Sequence, residues 1–239
     1  VLWAKDALEK GKAINVVNQL CPDFVVMCGD MVNDFDDQTQ LDELFRITDN
    51  LGEDIPMKWV AGNHDVGNDL TCRSLAIYRD RFGKDNYFFD HKGSRFIVLN
   101  SNISFYPSKI SGEWERQISF LSSSLEQARE IGSMHIIVFT HHPLFLQHPD
   151  EEDSSLVIPK EKRLVILDLL RSYNTTAVFA GHWHRNNYAY DRNMMMVTSA
   201  SVGYPFGYDP SGFRIVKVFQ DSIEHQYIGL DEMGDALMC

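Results

Sequence analysis

The sequence predicts a layered α/β fold, and three observations carry that expectation. Segments with apolar residues at helical spacing alternate along the chain with short runs rich in Val, Ile and Phe. Four of those runs give way directly to Asp, Asn or His, and strand ends are where α/β enzymes gather their chemistry. With 239 residues and 44% hydrophobic content the chain can bury a sizeable core, and residues 1–239 read as a single domain.

Each element has its own signal. The opening LWAKDALEKGKAINVVNQL carries apolar residues at helical spacing and stops before Pro22. DFVVMCGD then reads as a buried strand ending in Asp30, TQLDELFRITDNL as a helix, and MKWVAGNHD as the next strand. After the helical LTCRSLAIYRDRFG, the runs NYFFD and SRFIVLNS form a hairpin candidate around Lys92 and Gly93. EWERQISFLSSSLEQARE predicts a long helix before the strand HIIVFTHHP, and PKEKRLVILDLLRSYN a helix before TAVFAGHWH. From Met194 onward the tail reads as successive antiparallel strands. The acidic HPDEEDSSL is most simply a solvated loop, placed where it can border a pocket.

Composition excludes several classes. A formal charge of −12 leaves no basic stripe to neutralise phosphates, which argues against a nucleic-acid partner. No apolar run approaches the ~20 residues that span a bilayer, and the start lacks a signal-peptide pattern, so no membrane association is expected. The four cysteines, Cys21, Cys28, Cys72 and Cys239, show no C-x-x-C spacing and no disulfide framework, which points to a reduced, cytoplasmic setting.

His182 and His184 stand one residue apart in AVFAGHWHRN. Residues i and i+2 of an extended segment share a side, so two imidazoles can enter one space, and neutral imidazole is the commonest metal ligand. Alone, such a pair reads as a polar loop. It is accompanied by GDMVND, GNHD and THHP, each following an apolar run. Singly, Asp30 reads as a cap, Asn63 as a turn residue and His141 as a hydrogen-bonded core histidine. Four such strand ends in one chain read instead as a metal site. His142 is read as a non-ligand at the pocket rim, because consecutive strand residues face opposite sides. His135 is expected in the core or at its boundary, and His91 and His225 carry no motif. Arg185 reads as an exposed arginine, and Asp34 and Asp65 read equally as orienting groups or turn residues.

The ordered set GDMVND, GNHDVGN, VFTHHPLF and GHWHRN resembles the calcineurin-like metallophosphoesterases, and the resemblance extends over nearly the whole chain. It implies a four-layer αββα sandwich with two mixed sheets and a dinuclear metal site at the strand ends. By that resemblance Asp30 would bridge two ions ~3.5–4 Å apart, Asn63, His141 and His182 would complete the second ion's ligands, and His184 would turn to the first. Oxygen donors mixed with imidazoles suit Mn, Fe or Zn. His64 resembles the family's outer-sphere acid, placed to protonate a departing alkoxide. The implied activity is hydrolysis of a phosphomonoester by metal-activated water, of the protein serine/threonine phosphatase type, with a phosphoprotein as substrate.

The chain also departs from the family pattern. Calcineurin and its relatives place, three residues after the bridging Asp, an Asp that orients the catalytic histidine and then an Arg that grips phosphate; here those positions are Asn33 and Asp34. Asn33 can accept a hydrogen bond from His64 but lends it no charge. The Tyr that purple acid phosphatases carry at this position is also absent. Nothing upstream of CPDFVVMCGD offers the family's first Asp-x-His or Asp-x-Gln pair, since Asp6 falls inside a helical pattern. Starting at Val1, the chain is read either as lacking its N-terminal strand or as a member with a degraded first metal site, and the expectation is a weakly held first ion and a nearly inactive chain. Two other readings stay open: a phosphodiesterase acting on nucleotides or lipid head groups, and a non-catalytic scaffold on the same fold.

Overall fold

The computed structural model describes residues 2–67, 69–105 and 109–232. The order runs α1 (Leu2–Leu20), β1 (Val25–Met27), α2 (Gln38–Thr48), β2 (Met57–Trp59), α3 (Asn63–Val66), α4 (Cys72–Phe82), β3 (Tyr87–His91) and β4 (Ser94–Val98). It continues through a 3₁₀ turn (Ser101–Ser104), α5 (Glu113–Glu130), β5 (Ile136–Phe139), α6 (Lys160–Ser172), β6 (Ala177–Ala180), β7 (Asn187–Asp191), β8 (Met194–Thr198), β9 (Gly212–Val218) and β10 (Ile223–Gly229). Local chemistry sets the boundaries. The Asp37 carboxylate accepts the backbone N–H groups of Thr39 and Gln40 and so starts α2. Thr71 and Ser74 cap α4 reciprocally. Lys92 and Gly93 both adopt positive φ, 45° and 78°, the backbone that a two-residue turn between twisted strands requires.

A six-stranded mixed sheet in the order β3-β4-β5-β6-β8-β7 forms the centre. Its inner strands β4, β5, β6 and β8 run parallel, while β3 and β7 close the edges antiparallel. The second strand layer consists of two ladders, the parallel pair β1-β2 and the antiparallel pair β9-β10. This is an α/β sandwich, with that second layer divided where the resemblance implies one further mixed sheet. The tail differs from its expected antiparallel run. β8 is an inner strand paired parallel to β6, with Val178 opposite Met196. Its hairpin partner β7 escapes the apolar pattern because Tyr188 and Tyr190 face solvent on an edge strand. Among the described residues no strand precedes β1, and Asp6 lies within α1.

The inner strands are apolar on both faces because both faces are covered. Ile97, Val138, Val178 and Met196 pack under Leu75 of α4, Leu121 and Leu125 of α5, and Ile166 and Leu170 of α6. Phe96, Phe139, Phe179 and Val197 alternate with them and face the second strand layer through Phe24, Val26, Val216 and Ile223. Phe89, Phe96, Phe139 and Phe179 stack successively across β3 to β6, with centroids 5.1, 6.3 and 5.9 Å apart. Each buried ring contributes about 1.5–3 kcal/mol of hydrophobic stabilisation. Parallel strands bring their carboxyl ends to one edge, so the loops after β1, β2, β5 and β6 can meet there.

Candidate active site

Close backbone approach brings the first two loops together. A Cβ on Gly62 would overlap the backbone N and Oδ1 of Asp30, and one on Gly29, whose φ is +89°, would overlap His141 Nδ1. Only glycine fits at either place. Asp65 fastens the same junction. Buried to 2% exposure, its carboxylate accepts N–H groups from Asp30 (2.8 Å), Met31 (2.8 Å), Val32 (3.3 Å) and Gly62 (2.8 Å). Burial and the Asp30 charge push the Asp65 carboxyl up to about 6, and those four donors act against that rise. The carboxylate is therefore ionised at neutral pH.

The side chains of four loops converge on one point. His141 Nε2 lies 3.1 Å from Asn63 Oδ1, 3.1 Å from His182 Nδ1 and 3.3 Å from Asp30 Oδ2. The far nitrogens fix the tautomers, because a carbonyl oxygen can only accept. His141 Nδ1 donates to the Cys28 carbonyl at 2.7 Å and His182 Nε2 to that of Ser155 at 3.0 Å. His184 Nδ1 donates likewise to the Tyr204 carbonyl at 2.6 Å. His141 Nε2 and His182 Nδ1 thus face each other beside two oxygen acceptors, and either a proton on His141 Nε2 or a metal ion among them relieves the repulsion. Donors ~2.1 Å from one metal at tetrahedral or octahedral angles stand about 3.0–3.4 Å apart, which these spacings match. The residues present therefore fit a divalent ion.

Electrostatics agrees with the geometry. Burial pushes His182 down to about 4, with the His141 charge adding to it, so its imidazole is neutral and open to a metal. Burial lowers His184 as well. Burial disfavours ionisation of Asp30, yet the neighbouring His141 overrides it and holds the carboxyl below the usual range. Asp30, His182 and His184 all adopt positive φ, 54°, 63° and 57°. Left-handed backbone at three non-glycine residues of one cluster is the strain that collects at functional sites.

Several sequence readings change here. His182 and His184 do not share an extended segment, since β6 ends at Ala180 and Trp183 N–H closes a tight turn onto the Gly181 carbonyl at 2.7 Å. Asn63 and His64 open the short α3 and lie beyond the end of β2. His142 does not turn away from His141, because β5 stops at Phe139 and strand alternation no longer applies. Its ring lies 4.9 Å from that of His141 and 4.1 Å from that of His182, and its Nδ1 contacts Ser101 Oγ at 2.9 Å. His142 is buried, and its ring offers a nitrogen within 4.8 Å of those of His141 and His182, so it stands within the cluster and does not form a rim. His64 donates through Nδ1 to the Asn33 main-chain carbonyl at 2.8 Å, and its own N–H reaches Asp30 Oδ1 at 3.0 Å. Arg185 is exposed. The supporting carbonyls of Cys28, Ser155 and Tyr204 carry no sequence signal, whereas Asp65 does: an acid within GNHD that both neighbouring loops need.

A parallel-sheet edge with an oxygen- and imidazole-lined cluster marks the candidate metal site of an α/β sandwich, and sequence comparison makes the class specific. The chain belongs to the calcineurin-like phosphoesterase family, whose sequence model matches residues 6–186, and it is a phosphoester hydrolase of the phosphatase kind. It is 34% identical over 238 residues to the serine/threonine-protein phosphatase CPPED1 of Mus musculus, covering 97% of this chain and 76% of that protein. A probable cyclic nucleotide phosphodiesterase of Rhodococcus erythropolis is 28% identical over 228 residues, covering 87% of this chain and 70% of that protein. The fold is shared with purple acid phosphatase PPD1 of yellow lupin, at a TM-score of 0.69 and 15% identity over 95% of this chain and 47% of that one.

Proposed function

We propose that the protein is a phosphomonoesterase that removes phosphate from phosphoserine or phosphothreonine of proteins, using two metal ions of the Mn, Fe or Zn type. The observation that carries this reading is the convergence of Asp30, Asn63, His141 and His182, four potential metal ligands, on one point, with His184 beside them. Asp30, Asn63, His141 and His182 would hold one ion, and Asp30 and His184 would reach the other. Bound there, the metals would supply charge neutralisation for phosphoryl oxygens and an activated water. His64, with Nδ1 engaged by the Asn33 carbonyl, has Nε2 left to pass a proton to the leaving alkoxide. Asp34 stands where calcineurin carries arginine, so no cation grips phosphate from that position. The likeness to CPPED1 favours a phosphoprotein substrate. The free thiols of Cys21, Cys28 and Cys72 favour a reducing, cytoplasmic setting. No helix among the described residues is long and apolar enough to cross a membrane.

Metal analysis together with a substrate panel tests the proposal. The protein should hold up to two ions per chain. It should hydrolyse an aryl phosphomonoester and a phosphoserine peptide, lose both activities to a chelator and regain them with Mn(II). Faster turnover of a bis-aryl phosphodiester would favour the phosphodiesterase reading. Bound metal with neither activity would favour a scaffold.

A further inference from the structure

His184 is held by a loop that supplies no metal-binding side chain of its own. Residues 199–211 reach it at three points. The Tyr204 carbonyl accepts Nδ1–H at 2.6 Å, Phe206 N–H donates to the His184 carbonyl at 2.8 Å, and the Phe206 ring lies on the imidazole with centroids 4.7 Å apart. The outer side of this loop is open among the described residues, with Tyr204, Phe206 and Tyr208 42%, 45% and 106% exposed. Its grip on a left-handed histidine therefore depends on how its two ends are anchored.

Both ends are anchored to Asn186, two residues beyond His184. Asp209 accepts the Asn186 backbone N–H on one carboxylate oxygen and the side-chain amide on the other, both at 2.9 Å. The Asn186 amide oxygen accepts from Arg214 Nη2 at 2.6 Å and from Ala200 N–H at 3.3 Å. Arg214 Nε donates to Ser199 Oγ at 2.8 Å. The loop start at Ser199 and Ala200 and the loop end at Asp209 thus meet on one amide. Behind them, Tyr227 OH donates to the Pro210 carbonyl at 2.8 Å and ties the end to β10.

We infer that Asp209, through its paired hydrogen bonds to Asn186, is the positioning residue that locks residues 199–211 onto His184 and so fixes that histidine's Nδ1–H tautomer and its grip on metal. The inference rests on the proposed role of His184 as a ligand, and the tautomer can be read without metal. Groups that orient a ligating histidine typically alter metal affinity by about 10–100-fold when removed.

Three variants separate positioning from plain loop stability. Asp209→Ala removes both acceptors. Asn186→Asp sets two carboxylates face to face. Asn186→Asp combined with Asp209→Asn exchanges the roles: the amide at 209 keeps an oxygen for the backbone N–H and offers its NH₂ to the new carboxylate, which still accepts from Arg214. In long-range ¹H–¹⁵N spectra of the metal-free protein, His184 should be Nδ1-protonated in the wild type, mixed in each single variant and restored in the double. Calorimetric titration with Mn(II) should show the weaker ion losing about 10–100-fold in affinity in the single variants and recovering in the double, with the tighter ion unchanged. An unchanged tautomer and affinity in Asp209→Ala would overturn the inference, as would a double variant that recovers neither. A tautomer that follows the predicted pattern in a protein that binds one ion or none would support the latch and refute the two-ion reading.

Discussion

Replacing Asp65 should reveal how the loops of the candidate metal site are held. Its carboxylate is the acceptor for four backbone N–H groups, from Asp30, Met31, Val32 and Gly62, at 2.8 to 3.3 Å. At 2% exposure the site has little water to take over. A buried donor left without a partner costs about 1–3 kcal/mol, and a vacated carboxylate site can admit one water accepting from two donors. Asp65→Ala should therefore destabilise the fold by about 3–5 kcal/mol, the range for removing one partner of a buried charged contact. In a chain of this size each kcal/mol moves Tm by about 2–4 °C, so the melting point should fall by about 6–20 °C. Asp65→Asn sharpens the argument. Its one oxygen can keep Met31 and Val32, but its NH₂ then faces the N–H groups of Asp30 and Gly62, donor against donor. The near-isosteric change should cost nearly as much as alanine, and both variants should bind metal more weakly because Asp30 loses its support. Differential scanning calorimetry and metal titration provide the readouts. A melting point for Asp65→Asn within about 2 °C of wild type would refute the reasoning.

Other outcomes follow from the same geometry. His64→Ala should lower turnover by about 10²–10⁴ on a poor leaving group, and less on an activated aryl phosphate, with metal content unchanged; loss of metal would make His64 a ligand. Gly62→Ala drives a Cβ into Asp30 and should abolish metal binding, so a variant that binds metal normally would contradict the close approach. The Arg79 hydrogen bond at 2.9 Å, followed by that from Arg116, holds the Glu113 carboxyl below its ordinary value. Its contribution is therefore complete above the unfolded carboxyl pKa and is lost as pH falls through the lower folded value. Urea unfolding should show less acid-side loss of stability below about pH 4.5 in Glu113→Gln than in wild type, and identical slopes would remove Glu113 from the account.

The fold was largely legible because apolar runs of the inner strands and helices have few alternative uses. β4, β5 and β6 are buried at every position, and such runs flanked by turn residues state their role directly. β7 was not legible, since Asn187, Tyr188 and Tyr190 on an edge strand mix polar and exposed aromatic residues. The direction of β8 was also hidden. Met194–Thr198 reads alike in a hairpin or an inner parallel strand, and only the crossover from β6 decides.

At the candidate site the difference lies between side chains and backbone. Asp30, Asn63, His141 and His182 carry their chemistry in residue type, so their convergence leaves a trace in sequence. What turns each histidine is the main-chain carbonyl of Cys28, Asn33, Ser155 or Tyr204, and a carbonyl is the same whatever side chain it carries. This explains why Asn33, where calcineurin carries an aspartate, still holds His64: the contact at 2.8 Å belongs to the backbone. Those carbonyls stay in place only if their loops do, and the loops are fixed by side chains at a distance, Asp65 for the first two and Asp209 with Asn186 for the last. Beyond its proposed ligands, the site should therefore be most sensitive to the acids that accept backbone N–H groups, and not to the residues whose carbonyls touch the imidazoles.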